Sequence, residues 1–396
     1  MAGGNLTTVN ALLKEVYEGR LTEQYSNEVT GLKRIERSSA GVVETVGGKY
    51  VTFPIRVGRN TGISYRAEEG QIADPGNQSY AAVQVKLKYG YGRFKITGQA
   101  IELAETNYQS FASALTQEMD GLKDDLVKDS ARIFYGNTSN GVVAKITDTT
   151  TSASHTVDTV QYLSVGELVD VLDTVTGAQV GTSAGLTITA INETTKTITL
   201  SGSVGATTAT SAVYRAGNRL QEPTGLDQIC SATVPVYGLD PATQPIWAGN
   251  TLTSVGALLE SWMIAQADRA RQKGAKITAI FTSLGVRRAY FSLLTQQRRI
   301  VDTKSFTGGF QALAFNYGTE IPVVEDVDAK PGTMYFIDET KIKEYKKRGW
   351  YFEDRAGSVL QWVRNFDIFE GMAKQYWELG TSQRNAHTMA SGITEG

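Results

Sequence analysis

One stretch constrains this chain more than any other. From Thr106 to Tyr135 the sequence reads as one amphipathic helix of about thirty residues. Thr106 and Gln109 fit a capping box at its start. Phe111, Leu115, Met119, Leu122, Leu126 and Ile133 then hold one face, and Gly136 supplies the stop. At ~1.5 Å per residue such a helix is about 45 Å long. That is well beyond the usual helix, so the stretch predicts a structural axis around which the rest is arranged. Gly121 inside it predicts a bend, at about 1 kcal/mol relative to alanine.

Two strand signals precede the axis. Val51, Phe53, Ile55 and Val57 alternate with polar residues, and Val83, Val85, Leu87 and Tyr89 do the same. Pro54 places the first run at a sheet edge. Between the runs, Gly58 to Ser79 holds several glycines, Asp74-Pro75-Gly76 and the charges Arg59, Arg66, Glu68 and Glu69. A loop that long without an apolar core of its own predicts a projecting hairpin that meets another chain. Residues 1–41 are polar with one short stripe, Val9, Leu12, Leu13, Val16 and Tyr17, too short to fold alone.

After the axis the composition changes. Residues 142–217 lack Phe, Trp, Pro and Met, and threonine is dense. Short Val/Ile/Leu/Thr runs, with Asn192 to Lys196 as a hairpin turn, predict a small antiparallel sandwich or barrel inserted into its surroundings. Mixed α and β patterns follow. A helix is expected from Thr253 or Ser254 to Lys273, a strand from Lys276 to Phe281, and a helix capped by Ser283. Further strands are expected at Glu320 to Glu325 and Met334 to Ile337. From Thr381 the chain reads as polar and extended.

Chemistry is sparse. Lys plus Arg is 39 against 41 Asp plus Glu, a net charge of −2, which argues against a dedicated nucleic-acid reader. The one cysteine, Cys230, reads as a small buried hydrophobe. The two histidines, His155 and His387, are far apart and read as exposed or structurally hydrogen-bonded. No Walker, GxSxG or metal-ligand spacing is present, so neither a cofactor nor an enzyme is expected. No apolar run spans a membrane, and residues 1–10 do not read as a signal peptide. The run Lys343, Lys346, Lys347 and Arg348, near Tyr345 and Trp350, reads either as a nonspecific phosphate contact or as a solvated strand edge.

The order of parts resembles the major capsid proteins of tailed bacteriophages, an α+β fold of the Hong Kong 97 type. Gly225-Leu226-Asp227, Pro245-Ile246-Trp247 and Arg384-Asn385-Ala386-His387 are similar to phrases of actinophage-type subunits. The resemblance divides the chain into an N-terminal arm (1–41), an E-loop hairpin (42–97) and a P domain with its spine helix (98–141). After an extra β-rich insertion (142–218) it implies an A domain (219–333), then return strands of the P domain with a tail (334–396). It implies a self-assembling shell subunit, made in the host bacterial cytoplasm and ending in the virion. Its partners would be copies of itself in pentamers and hexamers, a separate scaffolding protein, a portal, a cement protein and packaged double-stranded DNA.

The implied inter-subunit contacts are Leu12, Leu13 and Val16 in the arm, with Val51, Phe53, Ile55, Arg59, Arg66, Glu68 and Glu69 in the hairpin. Lys343, Lys346, Lys347 and Arg348 would meet DNA. Two other readings compete: an encapsulin-like nanocompartment shell, and a β-rich phage tail or adhesion protein.

Overall fold

The computed structural model describes residues 30–37, 42–44, 50–104, 108–297, 314–318, 320–354 and 359–396. In chain order, α1 (Thr30–Arg37) precedes β1 (Val42–Glu44), β2 (Val51–Gly58), β3 (Ser79–Val85) and β4 (Lys88–Thr97). Helices α2 (Gly98–Ala104) and α3 (Tyr108–Tyr135) come next. Then follow β5 (Val142–Lys145), β6 (Ser154–Thr156), β7 (Leu168–Asp173), β8 (Leu186–Asn192), β9 (Thr197–Leu200) and β10 (Ser211–Arg215). The next elements are α4 (Leu226–Cys230), β11 (Asn250–Leu252), α5 (Glu260–Gln272), β12 (Ala279–Thr282) and α6 (Leu284–Gln297). Last come β13 (Ala314–Asn316), β14 (Glu320–Glu325), β15 (Met334–Ile337), β16 (Ile342–Phe352), β17 (Gln361–Trp362), β18 (Ile368–Thr381) and β19 (Thr388–Ala390).

The described chain forms two compact units. The first holds residues 88–228 and 351–374; the second holds the remainder, including β2, β3, β11 to β15 and β19. The strands β16 and β18 contribute to both.

In the first unit α3 lies on β4. Gly92 makes this possible: a Cβ there would sit 2.8 Å from Leu126 Cδ1 and 3.1 Å from Leu122 Cδ1. Phe94, Met119 and Leu360 form the core beneath, with Phe352 edge-on to Phe94 at 6.0 Å. β4 and β17 both pair with β18, and Arg93 forms an ion pair with Glu370. α3 is continuous through Gly121, so the bend expected there is not a break. Nothing lies within 4 Å of a Cβ placed on Gly121, so packing does not require glycine. Gly136, at φ +62°, ends the helix, its N–H donating to Arg132 O at 2.9 Å. The expected cap Thr106 lies outside the described residues, as do the side chains of Phe111 and Leu115.

The segment after α3 folds as an antiparallel six-stranded sheet in the order β5-β10-β7-β8-β9-β6. An antiparallel bridge between Ile146 and Val157 joins its two ends. Thr147 N donates to Thr156 O at 2.9 Å across the same seam. The sheet is therefore a closed barrel with no free edge. Ile146, Val157, Val169, Val171, Ile188, Ile198 and Val213 fill it. Lys196, at φ +51°, and the Asn192 side chain, accepting from Thr195 N at 3.1 Å, build the anticipated turn. The chain enters and leaves at one pinched neck, where Leu220 N donates to Asn140 O at 3.2 Å.

Charges tie that neck to the helix. Arg132 Nη2 meets Glu222 Oε1 at 2.5 Å and Arg132 Nε meets Asp129 Oδ1 at 2.9 Å. Arg215 reaches Asp129 and Glu167, both at 2.7 Å. Burial pushes the Glu222 carboxyl upward, against the pull of Arg132. Burial also works to raise Asp129, but Arg132 and Arg215 outweigh it and hold that carboxyl low.

In the second unit a six-stranded sheet runs β11-β19-β15-β12-β14-β13. The two central neighbours of β12 differ: β14 is parallel to it and β15 antiparallel. Met263, Ile280, Val286, Tyr290, Phe336 and Ile393 are among the core residues around the sheet. Strands β15 and β19, beyond residue 333, belong to the same sheet as β11 and β12. Pairing between distant segments fixed them there, which local patterning does not show.

Two further expectations are corrected. The helix expected from Thr253 or Ser254 starts at Glu260. Ser254 (φ 57°) and Gly256 (φ 72°) adopt left-handed backbone, and Gly256 N donates to Gly392 O at 2.9 Å. The tail, expected to be polar and extended, packs polar residues inside: Thr381, Arg384, His387 and Thr388 are all fully buried. Glu395 Oε1 accepts from Ser283 Oγ at 2.9 Å and from Gly332 N at 2.7 Å.

Candidate assembly interface

The hairpin is built from β2 and β3 in antiparallel register, from Val51 opposite Val85 to Gly58 opposite Ser79. Period two sorts its side chains. Val83 and Val85 are fully buried among Val236, Tyr237, Trp247 and Tyr345. Val51, Phe53 and Ile55, opposite them, are half-buried in the same cluster. Gln84 N donates to Tyr237 O at 2.9 Å and fixes the outer side of β3. Gly380 leaves room for this base, since a Cβ there would lie 2.5 Å from Tyr345 Cε2. The three apolar residues expected to face a neighbour thus spend much of their surface anchoring the hairpin within the chain. β4 belongs to the first unit, whereas β2 and β3 belong to the second.

Beyond Gly58 and Ser79 the tip has local order but no core. Gly62 N donates to Asn60 Oδ1 at 2.7 Å, and Gly70 N to Ala67 O at 3.0 Å. Arg59, Arg66, Glu68 and Glu69 are exposed and form no ion pair among the described residues. Large apolar side chains stand in solvent beside them: Ile63 is 79% exposed, Tyr65 96% and Ile72 80%, and Tyr80, on β3 at the base of the tip, is 67% exposed. Ile63, Tyr65 and Ile72 are not among the tip residues expected at the contact, which are the four charges. Their signal was present, as bulky apolar residues in a loop that no helical or strand period could bury.

The arm residues Leu12, Leu13 and Val16 lie outside the described residues. Within the second unit, α1 buries Leu32 and Ile35. Gly31 N donates to Asp326 Oδ2 at 3.1 Å, and Arg34 Nε meets Glu339 Oε1 at 2.6 Å. β1 then runs parallel to β16, Val42 beside Glu344.

The basic run on β16 does not form one patch. Strand alternation puts Lys343 and Lys347 on one face and Lys346 and Arg348 on the other. Lys346 is engaged at 2.9 Å by Glu344, itself fully buried.

The two histidines are structural. His387 is buried, its Nδ1 accepting from Asp338 N at 3.3 Å and its Nε2 lying 3.0 Å from Thr381 Oγ1. Burial pushes it down to about 4, against the opposing pull of Asp338. Beside it Arg384 donates to Ile229 O at 2.9 Å and Ser231 O at 2.7 Å, and burial lowers it to about 10. Cys230 is buried, as expected. Among the described residues no group of His, Cys, Asp and Glu could hold a metal, and no helix is long and apolar enough to cross a membrane.

A long helix on a sheet, a projecting hairpin and a second α/β unit together make an α+β shell-protein fold. It is shared with a chain of the Cyanophage A-1(L) capsid asymmetric unit, at a TM-score of 0.53 over 89% of this chain and 90% of that one, with 13% identity. A chain from the capsid of the native GTA particle is a more distant likeness, with a TM-score of 0.45, 10% identity and cover of 92% and 93%. A chain from Mycobacterium phage Adephagia gives 0.41, 8% identity and cover of 89% and 88%. No family model and no curated protein matches the sequence. The fold assignment rests on the cyanophage chain, and it is the capsid fold that the order of parts implied.

Proposed function

We propose that this chain is a major capsid protein, the self-assembling subunit of an icosahedral phage head. The observation that carries the reading is the hairpin tip. Ile63, Tyr65 and Ile72 in the tip remain 79%, 96% and 80% exposed within the chain, and such a surface is stabilised by a partner. In a closed symmetric shell the partner is a second copy, and many copies hold one another by mass action. The capsid fold favours this over a tail protein, and the inserted barrel favours it over a nanocompartment shell of the same fold. The role in this reading is structural, as the shared capsid fold suggests. A scaffolding protein, a portal, a cement protein and packaged DNA complete the reading. Lys343 and Lys347 are the better DNA contacts, because Lys346 is already paired. The barrel reads as an insertion added to the shared fold, since its two ends meet at one neck.

Negative-stain electron microscopy of the full chain, alone and co-expressed with its scaffold, tests this. Shells or capsomer rings are expected. Replacing residues 59–78 by an Asn-Gly turn closes the hairpin between Gly58 and Ser79, and that variant should fold but form no shells. Normal shells from it would refute the role of the tip. Dispersed monomers of the intact chain under both conditions would refute the shell reading itself.

A further inference from the structure

A second surface stands in solvent, in the first unit. Strands β17 and β18 pair Gln361 with Glu370 and Trp362 with Phe369. The turn between them is tightly built. Val363 N donates to Ile368 O at 2.9 Å and Phe366 N to Val363 O at 3.1 Å. Asn365, at φ 69°, takes the left-handed backbone that asparagine tolerates. The base of the turn is anchored. Leu360 is buried with Phe94 and Met119, and Phe369 packs on the same cluster. Gly98 N donates to Asp367 O at 2.9 Å, and a Cβ on Gly98 would collide with the Asp367 carboxyl.

This turn carries apolar surface outward. Trp362 is 61% exposed and Phe366 62%. Contacts between proteins use such aromatic side chains as anchors. A turn already held in shape loses little freedom on docking. The charges beside the rings say what the partner is. Arg364 and Asp367, on either side of Phe366, are both exposed and form no ion pair among the described residues. One patch thus holds a cation, an anion and two aromatic rings. Rotated onto its own copy, it sets Arg364 against Asp367 twice and ring against ring, so the patch complements itself.

A closed shell has a use for such a patch. Rings are built by contacts in which one surface meets a different one; a surface that meets its own copy closes on itself and leads no further round a ring. Joining one ring to the next takes another contact, and the hairpin tip, once occupied, cannot supply both. We propose, resting on the shell reading above, that the turn at 362–367 is the contact between rings, each turn seated on the same turn of a second copy. Trp362 and Phe366 anchor it, and Arg364 and Asp367 set its register.

The test compares the full wild-type chain with a variant carrying Trp362→Ser and Phe366→Ser, by negative-stain electron microscopy and sedimentation. Both positions are exposed, so the variant should melt with the wild type. Its rings should form, and its shells should fall about tenfold or more, the loss that follows truncation of an aromatic anchor. Arg364→Asp and Asp367→Arg, each alone, set like charges together and should also lower the shell yield. Combined in one chain they restore opposite charges and should recover it; a role confined to the fold of one chain gives no such recovery. Wild-type shell yield from the serine variant, or loss of its rings, overturns the proposal. So do single charge reversals without effect, or a combined reversal that recovers nothing. A wild-type chain that forms neither rings nor shells overturns the shell reading itself, a result distinct from failure of the turn.

Discussion

Acid should weaken the second unit through His387. The unfolded chain takes a proton on this residue below its ordinary value of 6.5, whereas burial lowers the folded value to about 4. The contribution of the neutral ring is therefore complete above 6.5 and is lost as the pH falls toward 4. Two and a half units at 1.36 kcal/mol each give about 3 kcal/mol over that window, and roughly 2 kcal/mol by pH 5. The assay is urea unfolding followed by tryptophan fluorescence, since Trp247 and Trp377 are buried in this unit. Midpoints at pH 7 and pH 5 are compared for the wild type and His387→Gln. The variant should be less stable at pH 7, having lost the acceptor for Asp338 N. Its fall in unfolding free energy between the two pH values should be smaller than that of the wild type by about 2 kcal/mol. Carboxylates and His155 are common to both chains and cancel in the difference. Equal falls in the two proteins would refute the reasoning.

Three further outcomes follow from named contacts. Gly121→Ala should stabilise the chain by about 1 kcal/mol, read as a raised melting temperature, because a methyl group there meets nothing and α3 gains helix propensity. Arg132→Met should cost about 3–5 kcal/mol in denaturant unfolding, since it leaves Glu222 buried without its cation. The triple change Ile63→Asp, Tyr65→Asp and Ile72→Asp should alter the unfolding free energy by no more than about 0.5 kcal/mol. It should nevertheless abolish shells in the electron microscope.

Elements whose signals are local could be read from the sequence. The α3 stripe, the Gly136 stop and the Asn192 to Lys196 turn each depend on neighbours a few residues away. The hairpin strands were legible for the same reason, as was the all-β character of the segment after α3. What escaped was set by distant partners. Thr381, Arg384 and His387 look polar, yet their hydrogen bonds go to a hydroxyl, carbonyls and an amide supplied by the fold, so they are buried. Ser254 resembles a helix cap, but the strand pairing of the tail turns its backbone left-handed. At the interface the charges drew attention because charge is conspicuous in a loop. Ile63, Tyr65 and Ile72 follow no helical or strand period, so no local pattern singles them out.

The neck of the barrel has a consequence for how this chain can be altered. Where a domain's two ends touch, the host feels it only as a short closed loop, and closure entropy changes slowly with what that loop contains. A foreign domain whose own ends meet could replace the segment between Asn140 and Leu220 without lengthening or bending α3. If the chain builds a shell, each copy would then carry that cargo at one fixed point, and the lattice would become a regular array of mounts.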